Sequence, residues 1–177
     1  MTLSRSLCSI LLCVLPLIAS ADRDMPDGMN NQRIGELLAN LDLDLSGDDG
    51  FWRLVIDGRT VMIITDENAD RMRIIVPVTA ADALSEDLLV RVMQANFDSA
   101  LDARYAIAKD TLWSAYIHPL RSLDDEEFLL GLGQAVNLAN TFGKDYSSGL
   151  LIFGGGDSRG IREKELLDEL VEKGLAI

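Results

Sequence analysis

The dipeptide Asp57-Gly58 stands between two runs in which apolar and polar residues alternate, "FWRLVID" at 51–57 and "RTVMIITDE" at 59–67. Asp-Gly supplies the positive φ angles that a two-residue hairpin turn requires, so the runs are predicted to pair as antiparallel strands. A third run, "RMRIIVPV" at 71–78, extends the pair into a three-stranded meander. The period then changes. In "LSEDLLVRVMQANF" at 84–97 apolar residues recur every three or four positions, which predicts a helix capped by Ser85, with Leu84 and Leu89 placed as a hydrophobic staple.

The meander is preceded by "NQRIGELLANL" at 31–41, where Ile34, Leu37, Leu38 and Leu41 fall at helical spacing. The second helix is followed by two extended runs, "ARYAIAK" and "TLWSAYIHPL", and by a third helix that opens at Asp124 with Glu127 at capping-box spacing. Phe128, Leu132, Ala135, Ala139 and Phe142 make its stripe. The order of elements is thus helix, three strands, helix, two strands, helix. It predicts an α+β fold rather than alternating βα units. The tail at 144–177 reads as an extension with a glycine-rich joint and a short helix ending near Gly174.

The N-terminal "MTLSRSLCSILLCVLPLIASADRD" has one basic residue, an apolar run too short to span a bilayer, and Ala19-Ser20-Ala21 before a polar stretch. It is read as a secretory signal peptide over 1–21, cleaved after Ala21, followed by a linker at 22–30. The protein is therefore expected in the periplasm or outside the cell, with no membrane insertion after cleavage. Both cysteines, Cys8 and Cys13, fall inside the signal peptide, so the mature chain is expected to have no thiol for disulfides, metals or nucleophilic chemistry. Residues 22–177 suffice for one well-formed core. Removing 1–21 takes away one arginine and no acid, moving the formal net charge from −13 to −14. Nucleic acid and anionic lipid are poor partners for such a chain.

Several stretches invite a chemical reading. In "NLDLDLSGDDGFW" at 40–52, Asp42, Asp44, Ser46 and Asp48 could stand at positions 1, 3, 5 and 7 of a calcium loop, with Gly47 at its turn. Arg53 then occupies the position that needs a bidentate Glu, and Asp49 the usual apolar one, so a polar loop leading into a strand is the better reading. "GLLIFGGGDSRGIREK" resembles a strand, phosphate loop and helix, but Gly154, Gly156 and Gly160 miss the dinucleotide spacing and no Gly-Lys-Ser/Thr ending follows, which leaves a tether. His118, the one histidine, has no natural triad members and reads as structural or surface. Asp124, Asp125, Glu126 and Glu127 are explained by the helix dipole. Trp52, Trp113, Tyr105 and Tyr116 fall on strands, where the period leaves open whether they fill the core or line a peptide groove.

Across 31–143, "LLANLDLDLSGDDGFWRLVIDGRTVMIITDE", "LSEDLLVRVMQANF" and "TLWSAYIHPLRSLDDEEF" together resemble the secretion-chaperone-like superfamily, which includes class I (CesT/Tir-type) type III secretion chaperones and YbjN-type proteins. The resemblance implies a small, acidic α+β protein, usually dimeric, that binds polypeptides in extended form on apolar surface without nucleotide or metal. It implies a dimer element in the second helix, at Leu89, Val92, Met93 and Phe97. Client binding is implied on the first helix and sheet, at Leu37, Leu41, Leu43, Leu45, Trp52 and Leu54. The expected function is a non-enzymatic, exported, polypeptide-binding homodimer with a client of unknown identity and no cofactor. The alternatives are a ligand- or calcium-responsive regulator and a carboxylate-dependent enzyme. The signal peptide departs from the family pattern, as class I chaperones work in the cytosol, and the tail after Phe142 lies outside the resemblance.

Overall fold

The computed structural model describes residues 28–98, 100–143 and 158–176. Helix α1 (Asn31–Asn40) starts where the Asn30 side chain accepts from the Arg33 amide at 2.9 Å, and it turns Ile34, Leu37 and Leu38 inward. The end of the stretch read as a linker belongs to the fold, because Met29 is buried and Asn30 caps α1. Residues 1–27 lie outside the described residues, as do 144–157, which hold Gly154 and Gly156.

The strands β2 (Phe51–Ile56), β3 (Arg59–Asp66) and β4 (Arg71–Ala80) form the expected meander. Its first turn has Asp57 at φ 46° and Gly58 at φ 72°, the left-handed pair that the dipeptide favours. The acidic stretch expected as a loop contributes a further strand, β1 (Ser46–Asp48), paired antiparallel to β2. From β4 the chain passes through a short turn at Ala81–Ala83 into α2 (Glu86–Asp98), then β5 (Arg104–Ala108), β6 (Thr111–His118), α3 (Asp125–Thr141) and α4 (Ser158–Gly174). The described residues thus hold four α-helices and one antiparallel sheet in the order β1-β2-β3-β4-β6-β5. Helix α2 carries the chain beyond the place that β6 later fills, so β5 becomes the edge and β6 returns between β5 and β4.

Among the described residues, only one face of this sheet is covered. Trp52, Leu54, Val61, Ile63, Met72, Ile74, Val76, Tyr105, Leu112 and Tyr116 point inward and are buried. Helix α3 lies across β3, β4, β5 and β6 on that side, and α4 packs against α3 and α1. Close approach explains Gly131 in the middle of α3: a Cβ there would stand 2.7 Å from Cε1 of the Tyr116 ring. The capping box at the start of α3 is present, with Asp124 Oδ1 accepting from the Glu127 amide at 2.7 Å. Arg33 ties α1 to that end through two nitrogens on the Asp125 carboxylate, Nη2 standing 2.6 Å from Oδ2. The expected terminal helix, α4, is docked: Leu170 is buried, and Asn40 Nδ2 donates to the Gly174 and Ala176 carbonyls at 3.0 Å each.

Candidate functional site

Helix α2 begins where Ser85 Oγ accepts from the Leu88 amide at 3.2 Å, with Glu86 and Asp87 in the first turn against the positive end of the helix dipole. One side of the helix is spent on the protein itself. Val92 and Ala95 are buried there, and Asn96 Oδ1 accepts from the Tyr105 amide at 2.7 Å while its Nδ2 donates to the Tyr105 carbonyl at 3.1 Å. Asn96 therefore satisfies, at one residue, the backbone groups that an edge strand leaves open. This fixes α2 beside the outer edge of β5 rather than across the sheet.

The opposite side of α2 carries Leu89, Val90, Met93 and Phe97, all exposed, and Phe97 is 88% exposed. Leu101 in the following loop and Ile107 on β5 are exposed as well. At about 3.6 residues per turn, positions 89, 90, 93 and 97 fall within one arc of the helix, whereas 92 falls outside it with 95 and 96. The four residues implied as a dimer element are accordingly divided. Leu89, Met93 and Phe97 share the outward face; Val92, 0% exposed, belongs to the protomer's own core. Val90 was missed, and its signal was the second apolar stripe that a helix apolar on two sides must have.

The six residues implied as client-binding are placed differently. Leu37, Leu41, Trp52 and Leu54 are buried among the core residues, and Leu43 and Leu45 are half-buried against them. Trp52 and Leu54 alternate toward the helix-covered face of the sheet, so burial in the protomer removes them from any partner's reach. Tyr105 and Tyr116 are buried on that face too, and Trp113 is half-buried on the other.

The residues weighed for chemistry have structural partners. Asp124 and Glu127 make the capping box, and Asp125 holds Arg33. The hydrogen bond from Arg33 holds the Glu36 carboxyl below its usual range, and Asp125 followed by Glu36 raises the Arg33 guanidinium. His118 stacks on Tyr116 with ring centroids 6.1 Å apart and has Nδ1 2.8 Å from the Pro119 carbonyl. Of the residues weighed as calcium donors, Ser46 and Asp48 lie in β1 and Asp42 sits in a left-handed turn. Among the described residues, no group of three or more His, Cys, Asp or Glu side chains could hold a metal ion, and no helix is long and apolar enough to cross a membrane. Gly160 falls within α4.

The profile of the Tir chaperone protein (CesT) family matches residues 32–142. Among solved structures, the chain is similar to one in the ExsC–ExsE complex, at 17% identity and a TM-score of 0.53, covering 68% of this chain and 95% of that one. It is also similar to the Yersinia pestis type III secretion chaperone SycH, solved with a stable fragment of YscM2, at 17% identity and a TM-score of 0.49, covering 63% of this chain and 98% of that one. A third similar structure is the HopA1–SchA chaperone–effector complex, at 13% identity and a TM-score of 0.49, covering 63% of this chain and 94% of that one. No curated protein matches the chain. The expected α+β architecture and the superfamily resemblance agree with these findings.

Proposed function

Because this chain belongs to the Tir chaperone protein (CesT) family, we propose that it is a non-enzymatic, chaperone-like protein that binds a polypeptide client and works as a homodimer joined through α2. The observation that carries this reading is the outward face of α2. Leu89, Val90, Met93 and Phe97 leave a contiguous apolar ridge in solvent, and such ridges on soluble proteins mark interaction surfaces. A second copy of the same ridge is its self-complementary cover, as a two-fold dimer requires. The basic and apolar N-terminus over 1–21 supports export, which places the client in the periplasm or outside the cell.

Chemical cross-linking of the mature protein in a periplasmic extract tests the client part of the proposal. The expected result is a set of covalent adducts with other polypeptides that unlabelled protein in excess competes away. Adducts of the protein with itself alone would contradict a polypeptide client.

A further inference from the structure

The sheet face turned away from the helices has a charge opposite to that of the molecule. Its outward positions follow from the register. One row across the strands reads Arg53, Met62, Ile75, Ala115, Arg104, and the next reads Phe51, Ile64, Arg73, Ile117. Val55 and Trp113 extend the apolar part, and Ile117 is 61% exposed. Arg71 completes a set of four outward arginines, facing Asp66 across β3 and β4; Asp48 on β1 is the other outward acid. Four arginines against two aspartates stand on a chain whose formal net charge is −13.

These arginines are not consumed by the fold. The side chains of Arg53, Arg71 and Arg73 have no hydrogen bond or ion pair among the described residues, and the Arg53 guanidinium lies 6.0 Å from the centroid of the Phe51 ring. Arg104 Nη1 donates to the Leu101 and Ala103 carbonyls and pairs with no carboxylate among the described residues. Arg53 and Arg104 end one row, separated by four strand spacings or about 19 Å, a distance that roughly six residues of extended chain would span. A row of half-buried apolar side chains closed at both ends by arginine is complementary to a segment with apolar residues flanked by carboxylates.

Resting on the polypeptide-binding reading above, we infer that the outer sheet face is the client site and that it selects acidic, apolar segments. Arg53, Arg73 and Arg104 take the client's carboxylates, and its apolar side chains cover Met62, Ile64, Ile75 and Ile117. Screening keeps this local. At a Debye length of about 8 Å a short peptide feels the arginines beneath it, whereas a nucleic acid or an anionic membrane meets the acidic surface of the whole molecule.

The test is fluorescence anisotropy of the mature protein with three labelled synthetic peptides of about a dozen residues, sharing one apolar pattern and carrying Glu, Gln or Lys between the apolar positions. Three exposed charge contacts together predict at least roughly tenfold tighter binding of the Glu peptide than of the Lys peptide, weakened by salt. The Arg53→Glu/Arg73→Glu variant should reverse the order. Arg73→Gln, the gentler change, should cost the Glu peptide roughly two- to fivefold, leave the Gln peptide nearly unchanged and modestly strengthen the Lys peptide. Equal binding of all three peptides would overturn the charge selection while leaving a polypeptide-binding protein. Selectivity that persists in the reversed variant would overturn the choice of face. Binding of none of the three would overturn both readings, and tight binding of a single-stranded oligonucleotide or an anionic vesicle in place of the Glu peptide would overturn the choice of partner.

Discussion

Phe128 on α3 is 0% exposed and Phe97 on α2 is 88% exposed, although both stand on the apolar stripe of a helix that starts with acidic residues and a side-chain cap. The difference lies in where the sheet lets each helix sit. Helix α3 crosses four strands and receives α4 on its other side, so Phe128, Leu129, Leu132, Ala135, Val136 and Ala139 are all covered. Helix α2 stands at the edge of β5, held by Asn96, and only the side bearing Val92 and Ala95 meets the protein. An apolar stripe therefore states which residues share a face. Its neighbour decides whether that face is core or surface.

The largest expected contrast comes from shortening the two phenylalanines. Phe128→Ala should cost about 3–5 kcal/mol in urea unfolding, because the cavity opens in a fully packed site. Phe97→Ala should stay within about 0.5 kcal/mol for the monomer, since its ring touches mostly water. A loss of several kcal/mol at Phe97 in dilute, monomeric protein would break the comparison. Gly131→Ala comes next. Alanine is the better helix former by about 0.5–1 kcal/mol, yet the added methyl would press on the body of the buried Tyr116 ring, so a net loss of about 1–3 kcal/mol is expected. Stabilisation at Gly131 would mean that α3 is looser on the sheet than described. Among the buried positions the smallest effect belongs to Ser114, on the face that α3 covers, whose hydroxyl lacks a hydrogen-bond partner among the described residues. Ser114→Ala removes an unsatisfied polar atom and should raise stability by on the order of 1 kcal/mol, whereas a marked loss would reveal a hydrogen bond there.

Much of this architecture was legible. Alternation gave β2, β3 and β4, Asp57-Gly58 gave their first turn, and Asp124 with Glu127 gave the start of α3. Strand β1 was not legible, because Ser46, Gly47 and Asp48 have low strand preference and pair only once β2 offers them an edge. Trp52 and Leu54 could be assigned to one face together, but a period of two does not say which face the helices cover. For Val92, spacing of three or four from its neighbours on both faces left two stripes merged into one. The outward arginines were individually visible as odd positions of strands, yet their meeting in three neighbouring rows of one face depends on a register across five strands that no local pattern carries.

Mass in solution, measured by light scattering on the mature protein and on its Met93→Asp variant at tens of micromolar, tests the central claim that the outward face of α2 is an interface. The account predicts a dimer for the unchanged protein and a folded monomer for the variant, because a buried unpaired charge would break the contact while the exposed Met93 contributes little to the protomer. A clean monomer for the unchanged protein, or a dimer that survives Met93→Asp, would contradict it.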